Sequence, residues 1–308
     1  MPTSMRIHSD SIGTVRTTKR IIMRFSRTQR TNQATSSVDK SRRTVTVNFT
    51  VPVSWSQLTQ EQLRRVFDLL VVHEDMTVVK TILLVEFCGL TVERKTRFGW
   101  KCQTTVDGKE RIVYLKTWEI QDFIGQLEYI SQLEDMDNRL DVVCGLHAAD
   151  PLIRHGVSFE EYLYAEKYYQ KFVETQNMEW LDNVAMWLYR DADGRAAGYG
   201  DALDDQGRVV EEMTLTPGER VGTMLWYGHV KRVMANSFPH FFRKTQESDE
   251  DPGVVNFIEL YNVQLRALTD GDVTKEKEVL RLECWRALTE LEAKAREAEE
   301  LEKIRERK

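Results

Sequence analysis

Five aspartates, Asp191, Asp193, Asp201, Asp204 and Asp205, crowd one Gly-rich stretch, and several carboxylates close together would suit a hard cation such as Ca²⁺. The spacing does not fit an EF-hand, because a register starting at Asp191 puts Ala202 where the bidentate glutamate belongs. A solvated loop is expected instead. Gly194, Gly198 and Gly200 make no phosphate cradle, since neither G-x-G-x-x-G nor G-x-x-x-x-G-K-[ST] occurs there and no strand is expected before them. His147, His155, His229 and His240 lack H-E-x-x-H and any Cys/His ligand spacing, so each reads as structural. His240, set in Phe238-Pro239-His240-Phe241-Phe242, is the histidine expected to be buried among phenylalanines. Cys88, Cys102, Cys144 and Cys284 are far apart with no C-x-x-C pair, and all four are expected to be reduced. Cys88 and Cys284 fall inside apolar helical patterns, where a thiol serves as a small hydrophobe. No nucleophile elbow or Cys/His signature is present. These residues imply no catalytic group, no metal and no cofactor.

Rings are what the sequence has in surplus. Nine of the thirty-three residues from Ser158 to Arg190 are aromatic, and each can bury on the order of 150–250 Å². Phe159, Tyr162, Leu163, Tyr169, Phe172 and Val173 recur at helical steps along one face, with Tyr164 and Tyr168 as a second stripe. Such rings serve a core first. A two-sided pattern exceeds what one core contact requires, and Trp and Tyr are enriched at interface hot spots. The expected client-binding residues are Tyr164, Tyr168, Trp180, Trp187, Trp226, Phe238, Phe241 and Phe242.

The elements that position them follow from caps and periodicity. Ser158 with Glu161 reads as a capping box opening one helix, and Asn177 can cap a second, giving an antiparallel pair. Thr216, Pro217 and Glu219 make the strongest helix start, for a helix with Val221, Met224, Leu225, Val230 and Met234 inward. Upstream, residues 44–53 alternate as a strand. Residues 54–72 read as a helix with a Thr59/Gln62 box and Leu58, Leu63, Val66, Phe67 and Leu70 inward. Residues 77–87 read as a helix apolar nearly all round, ended by Gly89. Residues 101–116 form a hairpin around Asp107-Gly108, to which residues 44–53 could add a third strand. Residues 117–134 read as a helix with Trp118, Phe123, Leu127, Ile130 and Leu133 inward, and residues 137–156 as a connector. Two last helices are expected over 254–268 and 274–308, the final one losing its apolar stripe past Leu291. The fold class is mainly α: helical hairpins, a small antiparallel β-sheet in the N-terminal half and a long C-terminal helix. The expected divisions are a basic arm over 1–43, an α+β domain over 44–150, a helical domain over 151–245 and C-terminal helices over 246–308.

Charge divides unevenly. Residues 1–43 hold ten Lys or Arg against Asp10 and Asp39, a net +8, so the remainder carries −14 of the total −6. Arg16, Lys19, Arg20, Arg24, Arg27, Arg30, Arg42 and Arg43 could neutralise phosphates. A solvated disordered tail, or an upstream start ahead of Met23, explains them more simply, because only Phe25 interleaves the later arginines and the body is acidic. The arm lacks the apolar core of a secretory signal, and no run approaches the roughly eighteen apolar residues of a membrane span.

Three stretches, VPVSWSQLTQEQLRRVFDLL, FEEYLYAEKYYQKFVETQNMEWLDNVAMWLYR and TPGERVGTMLWYGHVKRVMANSFPHFF, together resemble a group of uncharacterised proteins of prophages and tailed phages of gut bacteria, themselves similar to tail-assembly accessory proteins. The resemblance spans Val51 to Phe242 with gaps and carries no active-site residue. It implies a non-enzymatic, chaperone-like protein in the cytoplasm of a bacterial host, binding a phage structural protein such as a tape-measure-like client. Self-association through the last helix is a further expected contact. The alternatives are a DNA-associated protein using the basic arm and a minor component of the virion.

Overall fold

Three capping boxes set the helical frame. Thr59 Oγ1 accepts from Gln62 N at 3.2 Å while Gln62 Oε1 accepts from Thr59 N at 3.0 Å. Ser158 with Glu161 and Thr216 with Glu219 repeat this reciprocal arrangement, which satisfies orphan N–H groups at each helix start. In a computed structural model of the chain, the described residues are 49–204, 206–242 and 257–306. The basic arm lies outside them.

A 3-10 turn at Trp55–Gln57 leads into α1 (Gln60–Val72) and α2 (Met76–Phe87). Then come β1 (Thr91–Thr96), β2 (Gly99–Val106), β3 (Lys109–Lys116), α3 (Thr117–Gln126), β4 (Val142–Val143) and β5 (Leu146–Ala148). The rest is α4 (Phe159–Thr175), α5 (Trp180–Leu188), β6 (Tyr189–Arg190), α6 (Pro217–Ser237), α7 (Phe257–Thr269), α8 (Glu276–Leu280) and α9 (Cys284–Glu306). The architecture is mainly α, with two small antiparallel sheets and a long C-terminal helix. Contacts divide the chain into two compact units: residues 49–52 with Thr81–Leu127, and Val53–Lys80 with the chain from Glu128 onward. The divisions fall within the segment expected as one domain over 44–150.

The first unit is a three-stranded sheet in the order β1-β2-β3 with α3 packed on β2 and β3. The expected turn closes the β2–β3 hairpin, with Asp107 at φ 52° and Gly108 at φ 70°, the left-handed pair a two-residue hairpin needs. The third strand is not the expected one. Residues 49–53 form no strand, 44–48 lie outside the described residues, and β1 pairs with β2 instead. β1 was hidden because TVERKT is almost wholly exposed and bulged between Val92 and Arg94, so it shows no alternation. Cys102, Val113 and Leu115 turn to the buried face, with Ile120 and Phe123 of α3 in the same core. Trp118, expected inward, is 59% exposed. The expected helix over 117–134 stops at Gln126 and continues as 3-10 turns. Val78 is exposed in α2, so that helix is buried on one side only.

In the second unit α6 lies against α1 and α5, and α4 against α5 and α9. The α6 crossing of α1 is close because Gly218 and Gly222 face it: a Cβ on Gly222 would come 2.7 Å from the Phe67 ring, and one on Gly218 would come 2.2 Å from Asp68 Oδ1. The inward stripe of α6 is therefore Gly222, Thr223, Trp226, Tyr227, Val230 and Met234, while Val221, Met224 and Leu225 are half-buried. In α1, Leu69 is buried and Leu70 only half so. The expected connector over 137–156 supplies β4 and β5, which pair with each other while β5 also pairs with β6, strands too short to leave a periodic signal. The last expected helix is broken: α8 ends at Leu280 and α9 starts at Cys284. Phe159 N donates to Leu282 O at 2.7 Å and Cys284 N to Val157 O at 2.9 Å, tying the starts of α4 and α9 together.

Candidate functional site

The aromatic hairpin is held at both ends. At its open end, Glu161 Oε2 accepts from Ser158 N and from Arg190 Nη2, each at 2.8 Å, and Arg190 Nη2 also donates to Gly156 O at 2.6 Å. At its turn, Gln176 takes a left-handed conformation at φ 54° with its N–H on Phe172 O at 2.7 Å, and Asn177 Oδ1 accepts from Glu179 N at 3.0 Å. Tyr164 stacks on Trp187 at 4.2 Å and Tyr168 on Trp180 at 6.0 Å. Advancing along α4 while retreating along α5 is the antiparallel pairing.

The aspartate-rich stretch does more than meet solvent. It contains two copies of D-x-x-G-R, Asp191 to Arg195 and Asp204 to Arg208. In the first, Asp191 Oδ1 accepts from Asp193 N and Arg195 N, both at 2.9 Å; in the second, Asp204 Oδ1 accepts from Gln206 N and Arg208 N, both at 2.9 Å. Single β-bridges close each turn, Arg190 to Ala196 and Leu203 to Val209, with Gly194 and Gly207 at φ 76° and 73°. The backbone N–H of Arg208 holds the Asp204 carboxyl below the usual carboxylate range. These carboxylates cap their own turns. Asp201 is exposed, and Asp205 lies outside the described residues.

Both turns rest on the hairpin. A Cβ on Gly198 would meet the Trp187 ring at 2.8 Å, so Trp187 is held between Tyr164 and the Gly198 backbone. Tyr199 stands edge-on to Trp187 at 5.0 Å and donates its hydroxyl to Glu160 Oε2 at 2.7 Å. Asn183 Nδ2 donates to Gly207 O at 2.9 Å. Much of the aromatic surplus is thus covered by the chain's own loop.

The eight expected docking residues separate accordingly. Tyr168, Trp187, Trp226 and Phe238 are buried. Trp226 Nε1 donates to Pro151 O at 2.7 Å, and Phe238 packs edge-on to Trp285 at 5.0 Å. Phe241 and Phe242 are half-buried, in a turn whose His240 and Phe241 N–H groups donate to Glu292 at 3.2 and 2.8 Å. His240 is not enclosed by phenylalanines: its side chain is 38% exposed and its Nδ1 lies 3.2 Å from Glu299 Oε2. Tyr164 and Trp180 remain half-buried on the hairpin surface. Lys171 Nζ lies 4.4 Å from the Trp180 ring centre and 5.6 Å from Tyr168, and Lys167 Nζ lies 5.3 Å from Tyr168 and 5.8 Å from Tyr164. Burial lowers the Lys167 pKa, and the Lys171 charge lowers it further. Val173, expected inward, is 46% exposed beyond this strip. The strip of alternating rings and ammonium groups combines apolar area, cation–π contacts and positive charge.

Three buried carboxylates form charge pairs that spacing could not reveal, because their partners are far apart in sequence. Glu166 accepts from Tyr227 Oη at 3.0 Å, from Gln170 Nε2 at 2.6 Å and from Lys231 Nζ. Arg220 donates twice to Asp182, at 2.7 Å each, and Arg64 to Glu219 at 2.6 Å. Each carboxylate is thus bound to groups on neighbouring elements. Among the described residues no group of three His, Cys, Asp or Glu is placed to hold a metal ion, and no helix is long and apolar enough to cross a membrane. Comparison with protein-family models, with curated proteins and with solved structures finds no match.

Proposed function

We propose that this is a non-enzymatic accessory protein of a prophage or tailed phage that binds a structural protein during tail assembly. The observation that carries the reading is the half-buried strip of Tyr164, Lys167, Lys171 and Trp180, laid over the buried ring of Tyr168 and backed by the stacked rings of the hairpin. A rigid ring-and-cation strip suits an amphipathic client segment with acidic residues beside its apolar face. A tape-measure-like protein is the client proposed, with the phage setting supplied by the three resembling stretches. The distal turns of α9, where Leu301 and Ile304 are exposed, are the surface offered for self-association.

The test is affinity capture from an induced lysogen expressing the tagged full chain, with Trp180→Ala and Lys171→Glu as comparisons. Recovery of a tail structural protein that drops at least about tenfold in the double variant, a loss of the size hot spots carry, is the expected result. Recovery unchanged by the variant, or no tail protein at all, contradicts the reading. Mass spectrometry of purified particles separates an assembly factor, absent from virions, from a minor virion component.

A further inference from the structure

The β1–β2 hairpin carries a second surface, unrelated to the aromatic strip. Residues 94–101 read Arg-Lys-Thr-Arg-Phe-Gly-Trp-Lys, with four cations, two rings and no acid. The pairing register sets Arg94 opposite Lys101 and Lys101 opposite Tyr114, and in the next row Thr96 opposite Gly99 and Gly99 opposite Lys116. Residues two apart share a face of a sheet, so both rows look the same way. Gly99 sits mid-row at φ 136°, where a Cβ would lie 1.9 Å from Leu115 O. Only glycine fits against the β3 backbone there, and the same face holds a groove of about 450 Å³ walled by Arg94, Phe98, Lys101, Tyr114 and Lys116.

The walls are chemically of one kind. Phe98, at the tip of the hairpin, is 71% exposed and Tyr114 48% exposed. The Arg97 guanidinium lies 4.5 Å from the Phe98 ring centre. Lys101 is paired with Glu93, whereas Arg94 and Lys116 have no ion-pair partner among the described residues. Exposed rings beside unpaired cations are the two parts a single-stranded nucleic acid uses, bases against the rings and phosphates against the cations. An acidic peptide would engage the cations and leave Phe98 and Tyr114 with nothing to cover them. A duplex would offer phosphates but keep its bases stacked inside.

We propose that this groove binds single-stranded nucleic acid, with a base stacked on Phe98 or Tyr114 and phosphates held by Arg94 and Lys116. The site is distinct from the basic arm, and the test resolves the two within the full chain. A fluorescein-labelled oligothymidine of about twelve nucleotides, within the usual site sizes, is titrated by anisotropy over a range of salt. A bromouracil-substituted copy is photo-crosslinked and the adduct mapped by mass spectrometry. The expected results are crosslinks at Phe98 or Tyr114 and an affinity loss of roughly tenfold for Phe98→Ala. For Arg94→Glu with Lys116→Glu, the salt slope should fall by about 1.4, at roughly 0.7 per phosphate. These side chains are exposed, and an unchanged melting curve shows that the variants fold. Crosslinks confined to residues 1–43, affinity and slope unchanged in the variants, or a duplex bound as tightly as the single strand would each overturn the proposal. So would a polyglutamate peptide that binds with the same variant losses while the oligonucleotide does not, which would assign the groove to acidic polypeptides.

Discussion

His229 shows how a single side chain can set a pH limit. Its Nδ1 is buried with no hydrogen-bond partner among the described residues, and burial lowers its pKa below the ordinary 6.5. The folded protein therefore disfavours the imidazolium, while the unfolded chain protonates freely as pH falls through about 6.5. Stability is unaffected above that pH and declines below it, until the folded group itself titrates. Thermal melts taken from about pH 7 down to about pH 5 should fall more steeply for the native chain than for His229→Gln; equal slopes would contradict this. The thiols give a second residue-scale prediction. Burial pushes Cys88 up to about 12, Cys102 up to about 11 and Cys284 well above the ordinary range, and since the thiolate is the nucleophile these three are protected. Burial raises Cys144 as well, but its thiol is only half-buried, with Sγ on Thr214 O at 3.4 Å, so access and not pKa sets it apart. Iodoacetamide should label Cys144 first in the native protein, with the other three reacting only on unfolding, as peptide mass spectrometry would show.

At the scale of elements, α6 is the beam against which α1, α4 and α5 are set, and two substitutions probe it. Gly222→Ala would ordinarily favour a helix, but here the new methyl meets Phe67, so a loss of about 1–3 kcal/mol is expected from overpacking. Arg220→Met leaves Asp182, whose side chain is only 5% exposed, without its bidentate partner. A loss of about 3–5 kcal/mol is expected, largely recovered when Asp182→Leu is added. Denaturant unfolding measures both, and a tolerated Arg220→Met would show that the pair does not hold α5 to α6. This is also the scale at which sequence reading succeeds or fails. Thr59, Ser158 and Thr216 announce their helices because a cap is a local interaction among residues three apart, and Asp107-Gly108 announces its hairpin for the same reason. β1 gives no sign, because an exposed edge strand needs no apolar alternation. The pairing of Glu166 with Lys231 and of Asp182 with Arg220 is equally silent, since it exists only once the chain has folded.

Across the whole molecule, the candidate site was legible in kind but not in extent. The ring-rich hairpin is visible in composition, and the buried rings satisfy the core reading of that composition. What composition could not show is that the two D-x-x-G-R turns fold back over Trp187 and Asn183, while Tyr164, Lys171 and Trp180 stay half-buried at the hairpin surface. The groove of the first unit was missed for a related reason: its cations and rings meet across three strands, one of which had no sequence signal. Hydrogen exchange on the full chain with and without a purified tape-measure-like tail protein asks whether the hairpin strip holds that client. Binding at the strip slows exchange in the peptides spanning Tyr164 to Trp180. Exchange that is unchanged there, or slowed only elsewhere in the chain, would contradict it.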